Sequence, residues 1–302
     1  MTPVLAYALA FLVWPGLLLA APLAWLELWL MRKTVARLQG RVGPPFFQPF
    51  FDFMKLMGKR AVIPEGVDRI AFVALPMIAL AAIAAALVLM PMPGNPAPRL
   101  PGDVMVLIFL LEVPVIAEVV AGYVGRSVYG EVGAMREALM SLAYNLPFLA
   151  SIVAMAEAAG SFDLGAIAAL PFGLVHVVAG FAFLLALPAR LKLNPFSIAN
   201  AESEIVAGGL IEYSGPLLGL FELAHALEVV VLTELFVALF VPVPAGIAAA
   251  LAVYVGVGVV LLLGLSFLSA VTARLRLPQA FRFYWTWGGA ASVAALAAGL
   301  VP

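Results

Sequence analysis

The chain has 302 residues, of which 65% are hydrophobic and 11% charged, with a mean hydropathy of +1.13. Soluble domains carry about 45–50% apolar and about 25% charged residues, so a soluble enzyme is excluded. The 16 basic and 17 acidic residues nearly cancel and leave no electrostatic footprint for nucleic acid. No cysteine is present, which excludes disulfides and any iron–sulfur cluster ligated by this chain. His176 and His225, the two histidines, make too small a set for haem or zinc.

Crossing about 30 Å of hydrocarbon takes about 20 mostly apolar residues. Eight stretches qualify, at roughly 3–31, 70–91, 103–121, 138–158, 170–188, 221–241, 245–269 and 281–301. The expected fold is an all-α integral membrane protein, one domain over 1–302, with eight transmembrane helices. The first stretch has no preceding basic residue and is too long for a signal-peptide core, so it reads as a retained helix. Pro15 and Pro22 interrupt it, and Pro114 interrupts the third. Each removes a backbone hydrogen bond and can bend or open the helix.

The segments 32–69, 122–137, 189–220 and 270–280, with Arg282, hold 15 of the 16 Lys and Arg residues. The segments on the other side hold Arg99. Positive charge stays cytoplasmic, which places both termini on the outer side of a cytoplasmic membrane. The basic side also carries far more loop, as a docking surface for partners would.

Residues 46–59 follow the first span. Gln48, Asp52, Lys55 and Lys59 recur at spacings of four, three and four, on one stripe of an otherwise Phe- and Met-rich helix. This predicts an amphipathic helix in the cytoplasmic interface, serving as a docking element or as a plain membrane-surface anchor. Gln48, Asp52 and Lys55, with Arg37, Arg41 and Arg136, form the expected docking face.

Seven glutamates fall in the spans: Glu27, Glu112, Glu118, Glu157, Glu222, Glu228 and Glu234. With Arg282 counted in its loop, no Lys or Arg accompanies them. An ionised carboxylate at mid-membrane costs several kcal/mol. Each deep glutamate is therefore neutral, hydrated, or paired with a loop residue reaching in, and the first two states suit a proton relay. Glu27 and Glu157 lie near helix ends and can snorkel. Glu112 and Glu118 are about 9 Å apart along their helix and about 120° apart around it. Glu222, His225 and Glu228 recur every three residues and share a face. His225 reads either as a proton carrier between carboxylates or as a packing residue. His176 has no acidic neighbour and reads as structural. The GxxxG at Gly215–Gly219 contains Pro216 and carries no weight as a dimerisation motif.

Three cytoplasmic segments carry a resemblance. They are RLQGRVGPPFFQPFFDFMKLMGK at 37–59, YVGRSVYGEVGAMREALMSLAY at 123–144 and PFSIANAESEIVAGGLIEYSG at 195–215. Together they resemble the H-type membrane subunits of respiratory complex I and its relatives, over nearly the whole chain. The family has a quinone-reducing branch and a branch of energy-converting [NiFe]-hydrogenases and sulfane reductases. The resemblance implies a membrane anchor for a peripheral redox arm, with a glutamate-lined path toward antiporter-like subunits. It implies no cofactor in this chain; the [NiFe] centre and iron–sulfur clusters would lie in hydrogenase-like large and small subunits and iron–sulfur subunits. Glu112, Glu118, Glu228, Glu234, Glu222 and His225 would form the proton path, and Glu202, Glu204 and Glu212 the coupling loop.

Departures from the family place the chain. Its first loop runs from Gly-Pro-Pro straight to Phe46-Phe47-Gln48-Pro49, where the quinone branch has a longer insert. The acidic stretch of the third segment has become Ser197-Ile198-Ala199-Asn200, and Tyr144-Asn145 replaces a Tyr-Glu pair. These changes favour the hydrogenase-type branch. The alternatives are a quinone-binding H-type subunit, the equivalent sulfane reductase subunit, and a stand-alone proton-coupled transporter, against which the absence of an internal repeat counts.

Overall fold

The computed structural model describes residues 3–97 and 100–300, without the side chains of Pro3, Val4, Glu202 and Ser203. Arg99, part of the charge count, and the Glu202 side chain thus lie outside the described residues. Every regular element described is helical. In chain order they are α1 (Pro3–Leu12), α2 (Leu17–Leu38), α3 (Gln48–Met57), α4 (Arg69–Leu89), α5 (Asp103–Val124) and α6 (Val128–Ala159). The short α7 (Leu164–Ala168) precedes α8 (Leu174–Arg190), and the short α9 (Glu202–Ile205) precedes α10 (Gly215–Phe240). The last are α11 (Ile247–Val271), α12 (Leu277–Phe283) and α13 (Gly289–Gly299), with a π-helical turn at Tyr284–Gly288 joining the final pair.

Six helical stretches are long and apolar enough to cross a membrane: Leu5–Leu38, Arg69–Leu89, Asp103–Val124, Val128–Ala159, Gly215–Phe240 and Ile247–Val271. The two other expected spans are the 17-residue α8 and the segmented run from α12 to α13. Of the three prolines expected to interrupt helices, Pro15 lies in the break between α1 and α2. Pro22 and Pro114 sit inside α2 and α5, which continue through them.

The helix α10 is apolar on all sides, as a fully surrounded helix must be, and it is the most deeply buried of the six. It packs against α2, α3, α4, α8 and α11. Gly219 explains the close approach of α3, because a Cβ there would lie 3.3 Å from Met57 Sδ. The amphipathic α3 forms over the expected residues. Its Phe50 and Phe53 rings lie 5.1 and 5.7 Å from Trp25 of α2, while Phe47 and Phe51 face outward.

One boundary is corrected. Residues 128–137, assigned above to a loop, form the first turns of α6. Ser127 occupies the N-cap position and Glu131 the first turn, where negative charge is favoured. Glycines let the segment at 195–215 lie against this helix: a Cβ on Gly133 would meet Gly209 N at 2.5 Å.

The connections segregate to two ends. At one end Val62 N donates to Ser214 Oγ, Leu275 N to Pro195 O, and Arg136 pairs with Glu204. At the other, Trp14 Nε1 donates to Pro93 O, Gly102 N to Asp163 Oδ1, and Leu164 N to the buried Asp103. The aromatic ring of Tyr213 stacks on Phe72 at 4.0 Å and pins the 195–215 segment to α4.

Candidate functional site

Glu112 and Glu118 of α5 and Glu228 of α10 are paired with bases that reach in from beyond the apolar runs, one of the three states expected of a deep glutamate. Both bases come from the end of α8. Arg190 is its last residue, two positions beyond the apolar stretch that marks the expected span, and its side chain is fully buried. A guanidinium presents five N–H donors in a planar fork. One terminal nitrogen, Nη1, donates to Glu112 Oε1 at 2.7 Å and to Asn145 Oδ1 at 3.1 Å, and Nη2 donates to the Leu111 carbonyl at 2.7 Å. The Nε atom lies 3.4 Å from Glu228 Oε1, an ion pair without hydrogen-bond alignment. The guanidinium carbon also sits 4.4 Å from the Phe148 ring centroid, a cation–π distance.

Asn145 is part of this cluster. Its amide donates to Glu112 Oε2 at 2.7 Å while its carbonyl accepts from Arg190. Asn145 therefore bridges the acid and the base.

Lys192 is the second base. The chain leaves α8 through a Schellman turn, in which Lys192 N donates to Ala189 O and Leu193 N to Pro188 O. Lys192 occupies the left-handed position of that turn, at φ 54°, where glycine is the usual residue. A lysine there costs about 1 kcal/mol of backbone strain. The turn directs its amine back to Glu118, to which it donates in an ion pair. Burial pulls the Lys192 amine down, but the Glu118 and Glu137 carboxylates outweigh it and hold the amine above the ordinary lysine range. Its charge is therefore constant around neutral pH. The stability it contributes is complete below the ordinary lysine value of 10.5 and is lost only as pH rises through the alkaline range.

Glu137, which the sequence alone assigns to a loop, is 2% exposed and lies 3.5 Å from the Tyr144 hydroxyl. Four carboxyls, of Glu112, Glu118, Glu137 and Glu228, thus surround two permanent cations. The two halves meet at a cavity of about 20 Å³ lined by Glu118, Lys192, His225, Glu228 and Pro114, among others. That volume suits about one water. His225 Nδ1 lies 3.8 Å from Glu228 Oε2. On its other side His225 joins Glu222, Arg32, Arg41 and Lys192 in the wall of an open cavity of about 670 Å³. The three-residue spacing of Glu222, His225 and Glu228 thus runs from an open vestibule to a buried carboxylate.

The remaining sequence candidates are dispersed. Glu234 is buried six residues beyond Glu228 and shares a separate cavity with Glu27. Glu27 does not snorkel: it is 7% exposed, and Thr233 Oγ1 lies 3.5 Å from its Oε1. Glu157 is exposed at the end of α6, and His176 accepts a hydrogen bond from Gly173 N. In the coupling segment Glu204 pairs with Arg136 at 2.6 Å, and Glu212 lies against Gly125. Gln48 donates to Asp52, which pairs with Arg32 at 3.1 Å. Arg41 donates to Gln39. Arg37 and Lys55 lie in the last turns of α2 and α3. Among the described residues no group of three or more His, Cys, Asp or Glu is placed to hold a metal ion.

A helical chain with a buried cluster of carboxylates, two fixed cations and an open vestibule beside them defines a class: the multi-pass membrane protein with a charged interior. A family model described as NADH dehydrogenase matches residues 8–299. The H subunit of the NADH-quinone oxidoreductase of Dehalococcoides mccartyi is 29% identical over 86% of this chain and 77% of its own length. That of Syntrophotalea carbinolica is 30% identical over 84% of this chain and 83% of its own length. Among solved structures, a chain of the archaeal membrane-bound sulfane sulfur reductase, a respiratory membrane complex, superposes with a TM-score of 0.88 at 27% identity, covering 99% of this chain and all of that one. The chain belongs to the H-subunit family of complex I, the membrane subunits of complex-I-like complexes.

Proposed function

We propose that the chain is the membrane-anchoring, ion-translocating subunit of an energy-converting complex of the hydrogenase and sulfane-reductase branch. Its redox centres would lie in peripheral large, small and iron–sulfur subunits, and antiporter-like subunits would complete its membrane arm. The observation that carries the ion-translocating role is the sharing of Arg190 between Glu112 and Glu228. Protonating Glu228 leaves Arg190 paired with Glu112, and protonating Glu112 leaves it paired with Glu228. Protons enter this cluster from the vestibule through Glu222 and His225 and leave it through Glu118 beside Lys192.

The chain would cross a cytoplasmic membrane eight times, the first crossing lying within Leu5–Leu38, with both termini outside. The segregation of its connections to two ends supports that count, and the basic residues at one of them favour the cytoplasm for that end. Arg37, Arg41, Gln48, Asp52, Lys55 and Arg136 would face the peripheral arm there. Glu202, Glu204 and Glu212 would feel its redox state, since α6 joins Arg136 beside Glu204 to Glu137 in the buried cluster.

The choice of branch rests on the short first loop and is supported by the likeness to the sulfane reductase chain over 99% of this chain. One observation favours the quinone reading instead: an apolar groove of about 540 Å³ between α2 and α3, lined by Trp25, Leu26, Phe46, Phe47 and Phe50. Purification through a tag on this chain in mild detergent, with mass spectrometry and metal analysis, separates the two. Iron with nickel in the partners establishes a hydrogenase. Iron without nickel, with reduction of sulfane sulfur and no response to quinone-site inhibitors, establishes the sulfane reductase. A bound isoprenoid tail with inhibitor sensitivity would overturn the branch assignment.

A further inference from the structure

Glu27 and Glu234 stand apart from the network just described. They come from α2 and α10, are 7% and 5% exposed, and line one cavity of about 100 Å³. The rest of its wall is apolar or aromatic and holds no Lys, Arg or His. One oxygen of each carboxyl, Oε2 in both cases, is buried without a hydrogen-bond partner. Nearby polar groups are engaged elsewhere: Trp14 Nε1 donates to Pro93 O and Tyr254 Oη to Pro91 O. Thr233, whose hydroxyl approaches Glu27 at 3.5 Å, also bonds the Val229 and Val230 carbonyls.

Two ionised carboxylates facing one apolar cavity repel each other and suffer a desolvation penalty that no base offsets. A bound cation of the hard, oxygen-seeking kind needs about six oxygens around it. The cavity supplies two carboxyls and little else, too few for a metal ion and sufficient for a proton. We propose that Glu27 and Glu234 form a proton-holding carboxyl pair, a binding site distinct from the cluster around Arg190. The pair deepens the ion-translocating reading but does not depend on turnover. Glu234 lies about 9 Å along α10 from Glu228, so the pair forms a separate store rather than the next hydrogen-bonded step.

Infrared difference spectroscopy on the intact purified complex tests this. The wild type should show a protonated-carboxyl stretch near neutral pH that moves in heavy water and is unaffected by added sodium. Glu27→Gln and Glu234→Gln should each remove it. Glu27→Asp, which keeps the carboxyl and covers the case of a glutamine variant that fails to accumulate, should shift the band without abolishing it. A band that disappears when sodium is added would overturn the proton assignment in favour of a metal-ion site. Spectra identical in wild type and variants would overturn the pair altogether, while leaving translocation through Glu112 intact.

Discussion

Replacing Arg190 with methionine should cost the chain about 3–5 kcal/mol, the usual consequence of removing one partner from a buried ion pair. The loss exceeds that of an ordinary surface charge because Arg190 serves Glu112, Asn145, the Leu111 carbonyl and Glu228 together. Without it the buried Glu228 and the partly buried Glu112 lose their shared cation and must take up protons or water. Thermal unfolding in detergent should show a large fall in midpoint, or the variant should fail to accumulate in the membrane. Arg190→Lys should recover only part of the loss, since an ammonium is a point charge without the planar fork. The double variant Arg190→Met with Glu112→Gln should be more stable than Arg190→Met alone, because one orphaned charge is gone. Equal stability of Arg190→Met and wild type would refute this account of the cluster.

Lys192 allows structure and function to be separated. Its φ of 54° means that Lys192→Gly removes about 1 kcal/mol of backbone strain while deleting the ion pair with Glu118. The glycine variant should fold at least as readily as Lys192→Met, which keeps the strain and loses the charge. Both should nevertheless lose ion translocation, because the cation that pairs with Glu118 is absent. Comparison of thermal midpoints with ion uptake in reconstituted vesicles checks both halves. Translocation retained in the glycine variant would assign Lys192 a purely structural role.

Long apolar runs make the principal helices legible in the sequence, and the four-three-four spacing of Gln48, Asp52, Lys55 and Lys59 does the same for α3. The three-residue spacing of Glu222, His225 and Glu228 is equally readable, because helical periodicity is local. The partners of the deep acids are not. Arg190 falls just beyond an apolar run and so reads as loop, yet its burial depends on how α5, α6 and α10 close over it. Glu137 is hidden in the same way, since α6 begins ten residues before its apolar stretch. Lys192 carries no signal, because a left-handed lysine is visible only in the turn it occupies. Glu27 lies near one end of its apolar run, and only the placement of α10 and α11 shows that it is enclosed. Asn145 looks like a lost carboxylate in the sequence, whereas its two-sided amide joins Glu112 to Arg190.

On the proposed mechanism protons pass through the carboxylates around Arg190 while electrons pass through other subunits. Glu112→Gln tests this most directly. Glutamine keeps a carbonyl for Arg190 but cannot take up and release a proton. The intact complex, wild type and variant, should be reconstituted into vesicles and supplied with a reduced dye, following electron transfer and ion uptake together. The mechanism predicts that wild-type electron transfer builds an ion gradient, and that Glu112→Gln abolishes the gradient while electron transfer to the peripheral acceptor continues. An undiminished gradient in the Glu112→Gln complex would contradict it.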